Sequence, residues 1–124
     1  MSKILLVDDE SDIVDLLKFR LEAYKYDISV AVNGNECLAK VNTERPDLIL
    51  LDLVMPEMDG YETIRRLKEL PETRDIPVIL FTASYTTDIE IKSKELGAFD
   101  YIVKPFEPAD LIKKIEAALK SNYK

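Results

Sequence analysis

The chain has 124 residues, enough for one domain with its own core and too few for two ordinary ones. Seventeen Lys and Arg against 24 Asp and Glu leave a net charge of -7, which repels nucleic-acid phosphates and anionic lipid headgroups and argues against binding either directly. Cys37 is the lone cysteine and histidine is absent, so an intramolecular disulfide, a multi-cysteine zinc site, a Ser-His-Asp triad, a Cys-His pair and a phosphohistidine are all excluded. No apolar run approaches the roughly 20 residues that cross a bilayer, and no signal-peptide pattern follows Met1. The expectation is a single cytoplasmic domain over residues 1–124 whose chemistry is done by carboxylates, hydroxyls and amines.

Apolar runs rich in branched residues alternate five times with segments of helical period, which predicts an α/β fold with a parallel sheet. Residues 4–7 predict the first strand, ending at Asp8-Asp9, and Ile13, Leu16, Leu17 and Leu21 predict the buried face of the helix that follows. A second strand is expected over about residues 27–32, then a helix with Cys37, Leu38 and Val41 inward. Asn33-Gly34 between them is a strong hairpin dipeptide, but the period that follows is helical, so it is read as a helix start. The third strand, residues 48–51, has no polar alternation, as expected of a central parallel strand covered on both faces, and it ends at Asp52. After a loop with Met55-Pro56 and Asp59-Gly60, Ile64 and Leu67 mark a third helix, closed at Leu70-Pro71 because a residue before proline avoids the α region. The fourth strand, residues 78–81, ends at Thr82. Thr87 with Glu90 resembles a capping box for the fourth helix, and Gly97 suits the position just past its end. The fifth strand, about residues 101–103, ends at Lys104-Pro105. Pro108 fits a first helical position, and Leu111, Ile112, Ile115 and Leu119 predict the last buried stripe, with a polar tail over residues 120–124 expected to fray.

In an open parallel sheet, ligands bind outside the carboxyl ends of the strands. Asp8 and Asp9, Asp52, Thr82 and Lys104 stand at four of these predicted ends. Each has an ordinary structural explanation: Asp8 and Asp9 as helix caps, Asp52 as a strand-to-loop residue, Thr82 as a strand former, Lys104 as a solvated turn lysine and Tyr101 as a half-buried aromatic. Those explanations do not account for convergence on one edge. Two carboxylates ~4 Å apart repel by roughly 4 kcal/mol at an effective dielectric of 20, so Asp8, Asp9 and Asp52 together require a cation. With oxygen ligands alone, Mg2+ fits best. A metal ion and the Lys104 ammonium could then hold a phosphoryl group's oxygens while one carboxylate attacks in line, which points to Mg2+-dependent formation of an aspartyl phosphate.

The set Val7-Asp8-Asp9-Glu10, Leu50-Leu51-Asp52-Leu53, Met55-Pro56, Asp59-Gly60, Phe81-Thr82-Ala83, Gly97-Ala98 and Lys104-Pro105-Phe106 closely resembles the receiver domain of bacterial response regulators, the CheY-like group of two-component signalling. The resemblance covers essentially the whole chain. It implies a doubly wound, flavodoxin-like (βα)5 three-layer sandwich with strand order 2-1-3-4-5, an order that comes with the family and not from the periodicity. It implies that Asp52 is the phosphoacceptor and that Asp8, Asp9, Asp52 and the main-chain carbonyl of Val54 hold Mg2+. Thr82 and Lys104 would bind the phosphoryl group, and Tyr101 would turn inward as Thr82 moves. Lys104-Pro105 is expected to be cis, and Val54 and Ser84 occupy positions that tune phosphoryl lifetime, an aliphatic Val54 implying slow loss.

The same resemblance implies a phosphoacceptor that reacts by self-catalysis and is not a classical enzyme, served by a sensor histidine kinase or a histidine phosphotransfer protein. That donor is expected to dock near the first helix and the loop after the fifth strand. The fourth helix, fifth strand and fifth helix, roughly residues 87–120, would switch for a downstream protein, with Lys92, Lys94, Lys113 and Lys114 as candidate contacts. A stand-alone regulator is expected, monomeric or dimerising on phosphorylation, with a phosphorelay intermediate or the N-terminal receiver of a longer protein left open beside it. Three other readings stay open: a flavodoxin-like cofactor-binding module, although Asp-Asp-Glu stands where a phosphate-cradling loop would be; an aspartyl-phosphate hydrolase of the haloacid dehalogenase type; and a pseudo-receiver that binds without being phosphorylated.

Overall fold

The computed structural model describes residues 2–53, 59–82, 89–104 and 106–121. Strands and helices alternate along the chain as β1 (Lys3–Val7), α1 (Ser11–Ala23), β2 (Asp27–Ala31), α2 (Gly34–Glu44), β3 (Leu48–Asp52), α3 (Gly60–Glu69), β4 (Val78–Thr82), α4 (Ile89–Glu95), β5 (Asp100–Val103) and α5 (Pro108–Ser121). The strands form one parallel sheet in the order β2-β1-β3-β4-β5, the expected doubly wound arrangement. Because all five run the same way, their carboxyl ends share one edge.

Alternation of side chains through the sheet divides the core into two layers. Ile4, Leu6, Leu50, Ile79, Phe81 and Ile102 pack with Val14, Leu17 and Leu21 of α1 and with Leu111, Ile112, Ile115 and Ala118 of α5. Leu5, Val7, Ile49, Leu51 and Leu80 pack on the other face with Cys37 and Val41 of α2, Ile64 and Leu67 of α3 and Ile89 of α4. Coverage of both faces is why β1, β3 and β4 read as unbroken apolar runs.

The local stop and start signals act as expected. The Asn33 side chain accepts from the Glu36 N–H at 2.8 Å, so Asn33-Gly34 opens α2 and not a hairpin. Asp59, which with Gly60 was expected in the preceding loop, caps α3 in the same way through the Glu62 N–H at 2.9 Å, with Gly60 as the first helical residue, and Leu70 past the helix end is extended, as Pro71 demands. Gly97, at φ +80°, ends α4: the Ala98 N–H donates to the Ser93 carbonyl at 2.9 Å and the Gly97 N–H to that of Lys94 at 3.1 Å. Those two bonds define a Schellman cap. Thr87, the proposed start of the capping box, lies outside the described residues.

Several expectations are corrected. Leu16 is 55% exposed, and Val14 takes its place in the core. On α1 the buried column runs through Val14, Leu17 and Leu21, with Ile13 half-buried at its margin. On α5, Ala118 is fully buried while Leu119 is half-buried at the margin, because the column from Leu111 through Ile115 continues to Ala118. β2 stops at Ala31, leaving Val32 48% exposed where the chain turns into the Asn33 cap. α5 takes in Lys120 and Ser121, which the sequence assigns to a frayed tail.

At Gly60, the first residue of α3, a side chain is sterically forbidden. A Cβ there would lie 2.4 Å from the Asp52 carbonyl oxygen and 2.6 Å from the Leu53 Cα, and the Gly60 N–H donates to the Leu53 carbonyl at 3.0 Å. Gly60→Ala is expected to cost about 2 kcal/mol through this overpacking, read as a lower denaturant midpoint; an unchanged midpoint would show that the end of β3 can yield. On the same side of the sheet, Cys37 has no accessible surface, and burial pushes its thiol up to about 12. Since the folded value lies above that of a free thiol, near ~8.5, this group's contribution to stability is complete below the free value and is lost as pH rises toward the folded one. Iodoacetamide at about pH 8 is expected to modify Cys37 only in denaturant. Rapid labelling of the native protein would contradict the buried assignment.

Candidate functional site

The carboxyl edge gathers the predicted polar residues because the parallel register levels the strand ends. Val7 stands opposite Leu51, Asp52 opposite Phe81 and Thr82 opposite Val103. Asp8 and Lys104 follow the last residues of β1 and β5, while Asp52 and Thr82 are the last residues of β3 and β4. Asp8 is fully buried, Asp52 and Thr82 are 3% exposed, and Asp9 faces solvent.

Asp8, Asp9 and Asp52 each place a carboxylate oxygen within 4.8 Å of the other two. The Lys104 ammonium donates to Asp8 Oδ2 at 3.3 Å and stands 3.8 Å from Asp52 Oδ2. Its Nζ also lies 4.5 Å from the centroid of the Phe81 ring. The other Asp8 oxygen, Oδ1, accepts from the Glu10 N–H at 3.0 Å. This bond braces the turn into α1, yet the N-cap is Glu10, whose side chain makes no capping bond, so helix capping does not explain the acidic pair. Three carboxylates facing one ammonium leave an excess of negative charge that a cation would relieve. The donors are all hard oxygens, with no imidazole or thiolate among them, and so they suit Mg2+.

Alternation sets the edge astride both layers. Asp52 and Phe81 share the parity of Leu50 and Ile79, which face α1 and α5, whereas Thr82 shares that of Leu80 and faces the α2, α3 and α4 layer. Tyr101 is half-buried against that second layer. Asp52 and Thr82 are therefore neighbours along the edge that project to opposite sides of the sheet. The Val54 carbonyl, Ser84 and Pro105 lie outside the described residues.

Of the four candidate contact lysines, Lys92, Lys94 and Lys113 are exposed. Lys92 Nζ is 5.6 Å from the Tyr61 ring centroid, and Lys94 is 3.9 Å from Glu90. Lys114 differs: it is half-buried, donates to Asp100 Oδ2 at 2.9 Å and approaches the Tyr101 ring at 5.9 Å, tying α5 to β5. Beside the edge, Ile13, Leu16 and Arg20 of α1, with Lys104, Phe106 and Pro108, line an open groove of about 670 Å³. It shares Leu16, Leu17, Arg20 and Pro108 with a hollow of about 360 Å³ between α1 and α5, where Phe19 and Tyr24 stand 66% and 56% exposed. Sequence reasoning quotes Phe81 within Phe81-Thr82-Ala83 without giving it a role and does not mention Phe19. Phe81 was findable, because the residue before Thr82 must project to the side from which Lys104 reaches the acids.

Residues 4–116 match the family described as the response regulator receiver domain. The chain is 41% identical over 118 residues to the alkaline phosphatase synthesis transcriptional regulatory protein PhoP of Bacillus subtilis (strain 168). It is 42% identical over 118 residues to the probable transcriptional regulator ycf27 of Porphyridium aerugineum. Each match takes in 95% of this chain and 48% of the relative, so the chain spans about half the length of the curated relatives it matches. Among solved structures, the signal receiver domain of a signal transduction histidine kinase from Syntrophus aciditrophicus is similar with a TM-score of 0.92 and 37% identity, over 100% of this chain and 94% of that one. Chemotaxis protein CheY4 of Vibrio cholerae gives 0.89 and 30%, over 95% and 98%. With strand order, acidic edge and a family match that takes in every residue of that edge, the chain belongs to the receiver domain family of two-component response regulators.

Proposed function

We propose that residues 1–124 act as one cytoplasmic receiver unit in which Asp52 accepts a phosphoryl group. The observation that carries this reading is the position of Asp52: at the end of the central strand, its carboxylate lies in the cluster with Asp8 and Asp9 and 3.8 Å from the Lys104 ammonium. The chain has no histidine, so the donor is the phosphohistidine of a sensor histidine kinase or phosphotransfer protein, or a small acyl phosphate. An Asp52 oxygen attacks phosphorus as the bond to the donor's nitrogen or acyl oxygen breaks, and the donor leaves with the electron pair. Asp8, Asp9, Asp52 and the main-chain carbonyl of Val54 would hold Mg2+, which when bound supplies neutralisation of the phosphoryl oxygens. Lys104 transfers its hydrogen bond from Asp8 to a phosphoryl oxygen, and the Thr82 hydroxyl donates to another.

The product carries more charge than a carboxylate and has three strong acceptor oxygens. Thr82 and Tyr101 both belong to the layer that includes α4, so a pull on Thr82 would be felt by α4 and β5 and thus by the surface offered to a downstream protein. The donor protein would seat on the groove along α1, whose exposed Leu16 supplies apolar contact beside Lys104. Among the described residues, no helix is long and apolar enough to cross a membrane.

Incubation with acetyl phosphate and Mg2+ is expected to add one phosphoryl mass, and chelation or Asp52→Asn to abolish the gain. Absence of any gain in the wild type would leave a pseudo-receiver that binds without covalent chemistry. The metal assignment gives an independent expectation. In chelator, Asp9→Asn relieves repulsion and raises stability by about 0.5–1 kcal/mol, the scale of exposed charge pairs. Millimolar Mg2+ then stabilises the wild type by mass action and reverses the order. A wild-type melting curve indifferent to Mg2+ would remove the ion from the acidic edge.

A further inference from the structure

Lys104 leaves the end of β5, yet its ammonium lies beside carboxylates at the ends of β1 and β3, so its side chain must pass the end of β4. The residue that stands there, on the α1 and α5 side of the sheet, is Phe81. The Lys104 nitrogen is 4.5 Å from its ring centroid, inside the ~6 Å reach of a cation–π contact. Both groups are withdrawn from water, Phe81 being 2% exposed and the Lys104 side chain 12%, the setting in which that attraction is strongest.

We infer that Phe81 is a positioning residue for phosphoryl transfer, its ring face holding the Lys104 ammonium between Asp8 and Asp52. This rests on the assignment of Asp52 as phosphoacceptor. Asp8 is the nearer carboxylate, at 3.3 Å against 3.8 Å, and is fully buried without water to share its charge. Coulomb attraction alone would close the ammonium onto Asp8 and away from the reacting oxygen. The negative face of the ring draws the same charge from a third direction, so the cation meets an incoming phosphoryl group already placed and largely desolvated. A ring that only filled the core could be exchanged for any apolar group of its size, whereas one that acts through its face could not.

The test replaces Phe81 with 4-fluoro-, 3,5-difluoro- and 3,4,5-trifluorophenylalanine, which drain electron density from the ring face in steps with little change of shape. The rate of Asp52 labelling by acetyl phosphate and Mg2+, followed by intact mass, is expected to fall at each step and to reach about five-fold at the trifluoro ring, with melting temperatures unchanged. Phe81→Leu is expected to slow labelling at least as much. A rate flat across the fluorinated series, in a wild type that is labelled, overturns the inference and leaves the phosphoacceptor standing. A wild type that gains no mass overturns both. A second readout needs no phosphoryl donor: the Lys104 ε-methylene protons are expected to resonate upfield through the ring current and to lose that shift in Phe81→Leu. Unshifted protons in the native protein overturn the inference as well.

Discussion

The Lys104 ammonium is bonded into the carboxylate cluster at the carboxyl edge, and the negative charge gathered there is the constraint around which the rest is arranged. At an effective dielectric of 20, a pair of carboxylates even 4.8 Å apart repels by about 3.5 kcal/mol. Asp8 and Asp52 cannot relax apart, because β1 and β3 are held by apolar layers on both faces. Gly60 adds to the confinement by letting α3 begin against the backbone of Asp52 itself. The fold thus stores repulsion at an edge that cations, fixed or free, can relieve.

Relief of that repulsion has a direction built into the sheet. The acids and Lys104 work above the layer of α1 and α5, while Thr82 and Tyr101 belong to the opposite layer with α4. A group added to Asp52 and held by Thr82 would couple the two layers across the end of β4. β5 is an edge strand of four residues, paired among the described strands with β4 alone, and tied to α5 by the Asp100–Lys114 pair. Few contacts hold it, so it is the strand whose position a pull at Thr82 would alter at least cost.

Sequence was most informative where one residue has one physical job. Asn33 and Gly97 mark helix ends through local hydrogen bonds, and Pro108 through its fixed φ and missing N–H, none of which depends on distant neighbours. Unbroken apolar runs betray buried strands for the same reason. Helix faces were less legible: α1 carries more apolar residues than its buried column needs, and spacing alone assigns Leu16 to the core as readily as Val14. The chemistry-bearing side chains were readable as a set because strand ends converge, whereas Phe81, present in the Phe81-Thr82-Ala83 motif, was given no role of its own, since its ring fills the core and faces an ammonium at once. The strand order came with the family resemblance, because periodicity does not specify which strands are neighbours.

Leu16, exposed on α1, gives the acidic edge a neighbour of a different kind. Leu16 and Lys104 line the same groove, so a protein that covers Leu16 also covers the approach to the ammonium. Under the proposed function, docking would then do more than bring a phosphohistidine close. Excluding water from the groove lowers the local dielectric around Lys104, which strengthens its attraction for the phosphoryl oxygens at the moment of transfer. A small acyl phosphate leaves the groove wet and forgoes this effect. Partner recognition and transfer rate would be linked through one residue, Lys104, because it is both wall of the groove and cation of the site.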